Sequence, residues 1–289
     1  MCHSHNSGPS RRSFTALLAA GVGTTALAAC TPGSQVASPA AAPSPSGSQA
    51  ATPTPAVATT TAVPAPAASE APSSGAPPSK APPSGALSQK YSLSDPASQW
   101  VIVNKHRPLT PLQFVPPDLV QPHVQLAVSG EAALLNSTTA AAAEKLFAGA
   151  ASAGVTMTLA SGYRSFRTQT ATYNGYVDSR GQASADTASA RPGFSEHQTG
   201  WAFDIGDGGG ACSFQPCFAE QPAAVWAKAN AFKYGFVVRY PWMLHEITGY
   251  YYEPWHLRFV GVEAATDMAN RGIGTLEEYF GLEAAPSYL

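Results

Sequence analysis

The chain has 289 residues and a formal net charge of -2, and charged residues make up only 12% of it. From residue 91 onward it carries twelve Lys and Arg against seventeen Asp and Glu, so this part has a net charge near -5. Nucleic-acid binders usually show the opposite balance, with Lys and Arg gathered on one face, so that class of protein is excluded.

The first thirty residues are typical of an export signal. Ser10-Arg-Arg-Ser-Phe14 resembles a twin-arginine signal, and the uncharged run after it is too short and too rich in Gly and Thr for a membrane span. The run ends in Leu27-Ala-Ala-Cys30, which resembles a bacterial lipobox and implies a lipid on Cys30. An ordinary signal peptide with an incidental Cys is the alternative. We therefore expect an exported protein, anchored through this lipid to the outer face of the bacterial cytoplasmic membrane and facing the cell wall.

The segment after the signal has the composition of a linker. Residues 31–88 hold thirteen of the 26 prolines, with only Glu70 and Lys80 as charges and no aromatic residue. Such a segment has too little apolar surface to offset the entropy of ordering. We predict a disordered linker over 31–90 and one folded domain over 91–289, since about 200 residues are enough for a sizeable core.

The folded part shows mixed helix and strand patterns. Hydrophobic periodicity predicts helices over 131–154, 221–232 and 263–270, a helix that begins after a Ser165 cap, and strands over 155–160, 200–205, 236–240 and 256–260. The elements follow no regular βαβ alternation, and no Gly-rich phosphate loop follows a strand. The fold class is therefore predicted as α+β, with a small antiparallel or mixed sheet flanked by helices.

Two acidic and histidine motifs suggest a metal site. His197 and Asp204 lie seven residues apart, and both can face one site if a tight turn at Gly200 leads into a strand. Asp204 stands among Trp, Phe and Ile, where an unpaired charge is very costly, so it needs a cation or an Arg as its partner.

The second motif is Tyr252-Glu-Pro-Trp-His256. Two His and one carboxylate leave a fourth position for water, which is the pattern of a catalytic zinc site, and a further carboxylate such as Glu253 can then act as general base. By residue type His245 could equally be a metal ligand, but no acidic or Gly-containing motif supports that role.

Two cysteines remain in the folded part. Cys212 and Cys217 lie five apart in a loop that contains Gly and Pro. In an oxidising compartment this spacing predicts a disulfide, with a metal-binding pair as the alternative.

Taken in order, these motifs resemble the VanY-like branch of the D-Ala-D-Ala carboxypeptidase family of zinc peptidases. The resemblance covers roughly residues 99–262. It rests on six short segments, which are Val103-Asn-Lys-His-Arg-Pro-Leu109, Ser161-Gly-Tyr-Arg-Ser165, Ser195-Glu-His-Gln-Thr-Gly200, Ala202-Phe-Asp204, Thr248-Gly-Tyr250 and Glu253-Pro-Trp-His256. The segment 241–247 departs from the Gly- and Lys-containing turn that the family has at the rim of the site.

The resemblance implies a fold like that of the hedgehog and D-Ala-D-Ala peptidases and assigns the central residues of the site. It implies that Zn²⁺ is held by His197, Asp204 and His256. It also implies that Glu253 is the catalytic base.

Three further residues match positions around the substrate. The resemblance implies that Arg164 lies near the substrate and the developing oxyanion, and that Ser195 and Gln169 line the substrate site. A structural ion pair is the alternative role for Arg164, and a turn cap is the alternative for Ser195.

The expected activity is removal of the C-terminal D-Ala from peptidoglycan stem peptides by a monomeric enzyme. An endopeptidase or an L,D-carboxypeptidase of the same fold would share the ligands and the base, so these motifs do not separate them. A non-catalytic wall-binding module is the third alternative, and Glu253 argues against it because a pure binder has no need of that carboxylate.

Overall fold

The computed structural model of the protein describes residues 90–289. The export signal over 1–30, the lipid site at Cys30 and all but the last residue of the linker predicted over 31–90 lie outside the described residues. Between residues 90 and 289, no helix is both long and apolar enough to span a membrane.

A four-stranded antiparallel sheet lies at the centre of the domain. Its strands are β3 (Thr158–Ser161), β4 (Ala202–Gly206), β5 (Phe236–Tyr240) and β6 (Glu253–Phe259), in the order β3-β4-β6-β5. A second, two-stranded sheet pairs β1 (Leu119–Val120) with β2 (Leu135–Asn136). The predicted α+β class with a small antiparallel sheet is confirmed.

Seven α-helices in the described chain surround the sheet. They are α1 (Ser137–Ser152), α2 (Phe166–Arg180), α3 (Gln182–Ala188), α4 (Pro222–Asn230), α5 (His245–Thr248), α6 (Val262–Arg271) and α7 (Leu276–Phe280). Short 3₁₀ turns occupy Gly130–Ala133, Glu196–Thr199, Pro216–Glu220 and Ala231–Tyr234.

Helix boundaries follow the capping residues. The Ser165 hydroxyl accepts a hydrogen bond from the Thr168 backbone N–H, so α2 begins where the sequence predicts. The first predicted helix starts six residues later than expected, at Ser137, because the Asn136 side chain accepts from two backbone N–H groups of the first turn. The last predicted strand starts three residues earlier than expected, so Glu253 lies within β6.

The sheet register directs two polar residues away from the main core. Phe203 pairs with Leu257 across β4 and β6, and both side chains are fully buried in the main hydrophobic cluster. Asp204 pairs with His256 at the next position of the same ladder. Because successive side chains on a strand point to opposite faces, this pair lies on the other face of the sheet from Phe203.

A second hydrophobic cluster stabilises the ends of the sheet. Trp100, Met268 and Tyr279 belong to it, and the Trp100 indole donates a 2.7 Å hydrogen bond to the Val260 carbonyl just after β6. This packing joins the start of the described chain to α6 and α7.

Candidate metal centre

His197, Asp204 and His256 lie together and are buried, and we call them the metal-ligand trio. Their candidate ligand atoms all lie within 4.8 Å of one another. Nε2 of His197 is 3.3 Å from Oδ2 of Asp204, and Nδ1 of His256 is 3.0 Å from Oδ1 of the same carboxylate. The structure thus brings together the three residues to which the sequence assigns the metal.

A glycine turn connects two members of the trio. His197 lies in the 3₁₀ turn Glu196–Thr199, which ends at Gly200 in the left-handed conformation, with φ of 70°. A Cβ at Gly200 would also come within 2.7 Å of the Asn136 backbone nitrogen. Only glycine therefore fits this position, and the turn leads directly into β4, which carries Asp204.

Hydrogen bonds determine which histidine nitrogens can bind a metal. Nδ1 of His197 lies 2.8 Å from the Gly162 carbonyl, which can only accept, so this nitrogen carries the proton and Nε2 remains free. Nε2 of His256 lies 3.2 Å from a Glu196 carboxylate oxygen, which leaves Nδ1 of His256 facing Asp204. Both rings are therefore oriented by their second nitrogen, as in known metal sites.

The donor set fits a zinc ion. Zinc takes two imidazole nitrogens and one carboxylate oxygen readily, at about 2.0–2.2 Å, and in a tetrahedron such ligand atoms stand about 3.3 Å apart. In the trio the two imidazole nitrogens lie 3.3 and 3.0 Å from the two oxygens of the Asp204 carboxylate, and all the candidate ligand atoms lie within 4.8 Å of one another, close enough to share one ion. Burial raises the pKa of Asp204, but the two neighbouring imidazoles hold it well below its usual range, so the group is a carboxylate.

Glu196 is fully buried, and the sequence reasoning missed its role. One oxygen accepts hydrogen bonds from Nε of Arg239 at 2.8 Å and from a terminal nitrogen of Arg258 at 3.1 Å, and the other faces His256. Burial alone would raise the pKa of Glu196, but the two guanidinium groups hold it well below its usual range. Arg239 also pairs with the buried Glu277 at 2.7 Å. A recognisable signal existed, because Arg239 and Arg258 lie between apolar neighbours in predicted strands and need buried partners.

Glu253 lies beside the trio at the start of β6. Its carboxylate is 3.9 Å from Nδ1 of His256, and 18% of its side chain is exposed. Burial is the main cause that raises the pKa of Glu253 to about 7; the Asp204 charge also raises this pKa, while His256 and Arg164 lower it. A carboxyl group of this pKa, next to the ligands, can both take up and release a proton near neutral pH.

Arg164 is held by neutral partners. Its guanidinium donates to the Gln169 side-chain oxygen at 3.0 Å and to the Ser161 hydroxyl at 3.1 Å. No carboxylate within residues 90–289 forms an ion pair with it, so the structural ion pair considered above is not present there. Its charge is available for an anionic group in the cleft.

Gln169 and Ser195 differ in their relation to the cleft. Ser195 lies in the cleft wall, and its hydroxyl caps no helix. Gln169 is fully buried and donates to the Ser189 hydroxyl and the Ala190 carbonyl. The structure thus places Gln169 behind the wall, where it supports Arg164, and not in the wall as the resemblance implied.

The remaining predicted groups lie apart from the trio. The His245 side chain is 37% exposed and pairs with Glu246, so it is not a member of the metal-ligand group. Cys212 and Cys217 are joined by a disulfide, which leaves no thiol pair for a metal. The cleft has a volume of about 660 Å³, and its lining includes the trio, Glu253 and Arg164.

Comparison with known proteins identifies the family. Residues 132–262 match the VanY family model, described as D-alanyl-D-alanine carboxypeptidase. The putative carboxypeptidase YodJ of Bacillus subtilis strain 168 is 37% identical over 191 residues, which cover 65% of this chain and 69% of YodJ. This chain belongs to the VanY family. The family predicted from the motifs is therefore confirmed.

A second relative matches over a shorter stretch of the chain. A D-alanyl-D-alanine carboxypeptidase of Enterococcus faecalis is 39% identical over 149 residues, which cover 48% of this chain and 53% of that protein. The chain thus spans about half the length of this relative.

Two solved structures show the same fold as this VanY-family chain. The LD-carboxypeptidase LdcB superimposes with a TM-score of 0.61 at 37% identity, over 64% of this chain and 87% of LdcB. A mutant of the vancomycin-resistance D,D-pentapeptidase VanY, from a VanB-type cassette and in complex with Zn(II), gives 0.51 at 34% identity, over 62% of this chain and 97% of that one.

Proposed function

We propose that this chain is a zinc-dependent carboxypeptidase that removes the C-terminal D-Ala from peptidoglycan stem peptides. The observation that carries this proposal is the position of Glu253 beside the buried metal-ligand trio, with Arg164 in the same cleft. Membership of a family of D-alanyl-D-alanine carboxypeptidases supports the substrate class.

Zinc is the metal that the trio suits best. The donor types and their spacing fit it, and a VanY relative has been solved in complex with Zn(II). Held by His197, Asp204 and His256, zinc would supply the Lewis acidity needed to polarise the scissile carbonyl and activate water.

Glu253 acts as the general base. Its carboxylate takes a proton from the attacking water and then gives it to the leaving amine of D-Ala. Burial raises the pKa of Glu253 above that of an exposed carboxyl group, so it can both take up and release a proton closer to neutral pH. A non-catalytic wall-binding module would not need an ionisable group at this position.

Arg164 binds negative charge in the substrate. Its guanidinium has only neutral partners in the described chain, so it can bind the terminal carboxylate or the oxyanion that develops on the scissile carbonyl. Gln169 and Ser161 hold the guanidinium in place, which reduces the entropy lost when the substrate binds.

A second candidate activity is L,D-carboxypeptidase. LdcB, an LD-carboxypeptidase, superimposes on this chain with a TM-score of 0.61. The metal ligands and the base would serve either reaction, and the difference lies in whether the residue before the terminal D-Ala has the D or the L configuration.

We also propose that the enzyme is exported and attached to the membrane through a lipid on Cys30. The support is the pair Arg11-Arg12 and the sequence Leu27-Ala-Ala-Cys30. Mass spectrometry of the membrane fraction would show a diacylglyceryl group on Cys30, and an unmodified Cys30 in the mature protein would contradict this. The monomeric state stays a prediction.

The activity is tested by incubating the full-length protein with a synthetic pentapeptide ending in D-Ala-D-Ala and with the corresponding tetrapeptide. We expect loss of one Ala from the pentapeptide, blocked by a chelator and restored by zinc, and loss of most turnover in Glu253→Ala. The exposed carboxylate variant Glu246→Ala is the matched control and should keep its rate. Cleavage of the tetrapeptide alone would favour the L,D activity, and no cleavage of either peptide would contradict the proposed function.

A further inference from the structure

A disulfide closes a short loop in the wall of the cleft. The Cys212–Cys217 bond joins two Cα atoms 5.6 Å apart and encloses residues 213–216. All four enclosed residues line the same cleft as the metal-ligand trio. The loop follows β4, which carries Asp204, so it leaves the sheet next to the candidate metal centre.

The loop holds Phe214 in an uncommon backbone conformation. Phe214 and Cys212 have φ angles of 55° and 54°, in the left-handed region that residues with a bulky side chain rarely adopt. Such conformations persist where the surrounding structure holds them. Here the disulfide closes the loop. On the N-terminal side of the loop, the Asp207 carboxylate accepts hydrogen bonds from two backbone N–H groups. On its C-terminal side, Phe218 is fully buried.

This conformation exposes an aromatic ring to the cleft. Phe214 is 48% exposed, although an apolar ring of this size usually packs in the core. Its ring makes an edge-to-face contact with Trp255, with 6.0 Å between the ring centroids. Trp255 directly precedes His256 and comes two residues after Glu253, so the contact connects the loop to the strand that carries a ligand and the base.

We propose that Phe214 and Trp255 form an aromatic wall that binds the apolar part of the stem peptide before the scissile bond. This proposal rests on the proposed function, in which Arg164 takes the anionic end of the substrate. The wall presents two apolar rings and no charge, which suits methyl groups and aliphatic side chains. Phe214 is therefore a substrate-binding residue that determines specificity and takes no part in proton transfer.

The disulfide has a defined role in this arrangement. Without the bond, the loop can relax from the left-handed conformation, and the Phe214 ring leaves its place against Trp255. The disulfide thus holds the loop in a backbone conformation that its residues do not favour on their own, and so keeps the binding surface in place.

Peptide binding tests the wall independently of turnover. In full-length, zinc-loaded Glu253→Ala protein, titration calorimetry with the pentapeptide gives a reference Kd. Adding Phe214→Gly removes the ring and suits the left-handed backbone, and we expect Kd to rise about 3- to 10-fold. Phe214→Tyr keeps the ring and should bind like the reference. An unchanged Kd in Phe214→Gly, or no binding by the reference protein, would overturn the proposal.

The double variant Cys212→Ser with Cys217→Ser tests the disulfide in the same background. We expect a weakening similar to that of Phe214→Gly, while Val225→Ala, an exposed apolar residue of α4, should bind like the reference. Reference-like binding by the disulfide-free protein would overturn the role of the bond. Failure of the proposed function is seen separately, because it appears as a lack of Ala release by the wild-type protein.

With active protein, the same loop variants separate binding from chemistry. We expect Phe214→Gly to raise KM while kcat stays within about twofold, since the ring binds substrate and transition state alike. A fall in kcat at constant KM would contradict a pure binding role.

Discussion

Glu196 accepts a hydrogen bond from Nε2 of His256 over 3.2 Å, so a buried carboxylate orients the imidazole whose other nitrogen faces Asp204. The same Glu196 side chain accepts from Arg239 and Arg258, and none of these groups is exposed. The metal-ligand trio therefore rests on a buried charge network that fixes the direction of His256.

Removal of the Glu196 charge should weaken metal binding. In Glu196→Gln the hydrogen bond to His256 loses its ionic character, and we expect zinc affinity to fall about 10- to 100-fold. The two arginines also lose a buried partner, which should destabilise the fold by about 3–5 kcal/mol. Competition with a chromogenic chelator measures the affinity, and thermal unfolding of the zinc-free protein measures the stability.

Glu277→Gln is the matched control for that experiment. Glu277 is an equally buried partner of Arg239 but is bonded to Arg239 and Asn104, not to His256. It should lower the melting temperature and leave zinc affinity nearly unchanged. If both variants changed zinc affinity equally, Glu196 would act through overall stability and not through His256.

Loss of a ligand should remove the metal, whereas loss of the exposed His245 should not. We expect His256→Ala to bind no stoichiometric zinc and to show at least about 10³-fold lower turnover, because the metal activates the attacking water. His245→Ala should keep both zinc and rate, since the His245 side chain is exposed and, among residues 90–289, pairs with Glu246 and contacts the Tyr251 ring. Metal analysis of the dialysed proteins gives the stoichiometry. Full zinc content in His256→Ala would exclude this residue as a ligand.

Substitution of Arg164 should lower kcat/KM far more than substitution of the neighbouring Arg167. Arg164→Ala should lower kcat/KM about 10²- to 10³-fold through loss of an anion-binding group. Gln169→Ala should cause a smaller loss, about 10-fold, because it leaves Arg164 in place but less well oriented. Arg167→Ala removes an exposed charge near the start of α2 and should leave the rate unchanged. Equal rates for the Arg164 and Arg167 variants would contradict the assigned role.

The pH dependence of the reaction should report Glu253. Burial raises its pKa to about 7, and only the ionised carboxylate can take a proton. As pH falls below that pKa, kcat/KM should therefore decrease, about tenfold per pH unit. A bound cation favours the ionised form, so the midpoint should lie at or below 7. Steady-state rates between pH 5 and 9 measure the profile, and a flat profile over that range would contradict a titrating base.

Several parts of the fold could be predicted from residues close together in the sequence. The Ser165 cap of α2 and the left-handed turn at Gly200 into β4 could be predicted, because both depend mainly on residues within a few positions. Strand β5 has the predicted bounds 236–240, since its β-branched pattern is unambiguous. The predicted start of α1 is wrong because hydrophobic periodicity does not show the Asn136 cap, which lies inside the Ala-rich run.

The sequence by itself determined the family, the fold class and the residue types of the candidate metal site, because these depend on short motifs and on hydrophobic periodicity. Only the tertiary structure decided which groups support them. Glu196 lies 60 positions before its partner His256 in the chain. Phe214, inside the loop that the disulfide closes, contacts Trp255 on a distant strand. Such contacts depend on the register of the sheet and on close packing of the core, which no local pattern encodes.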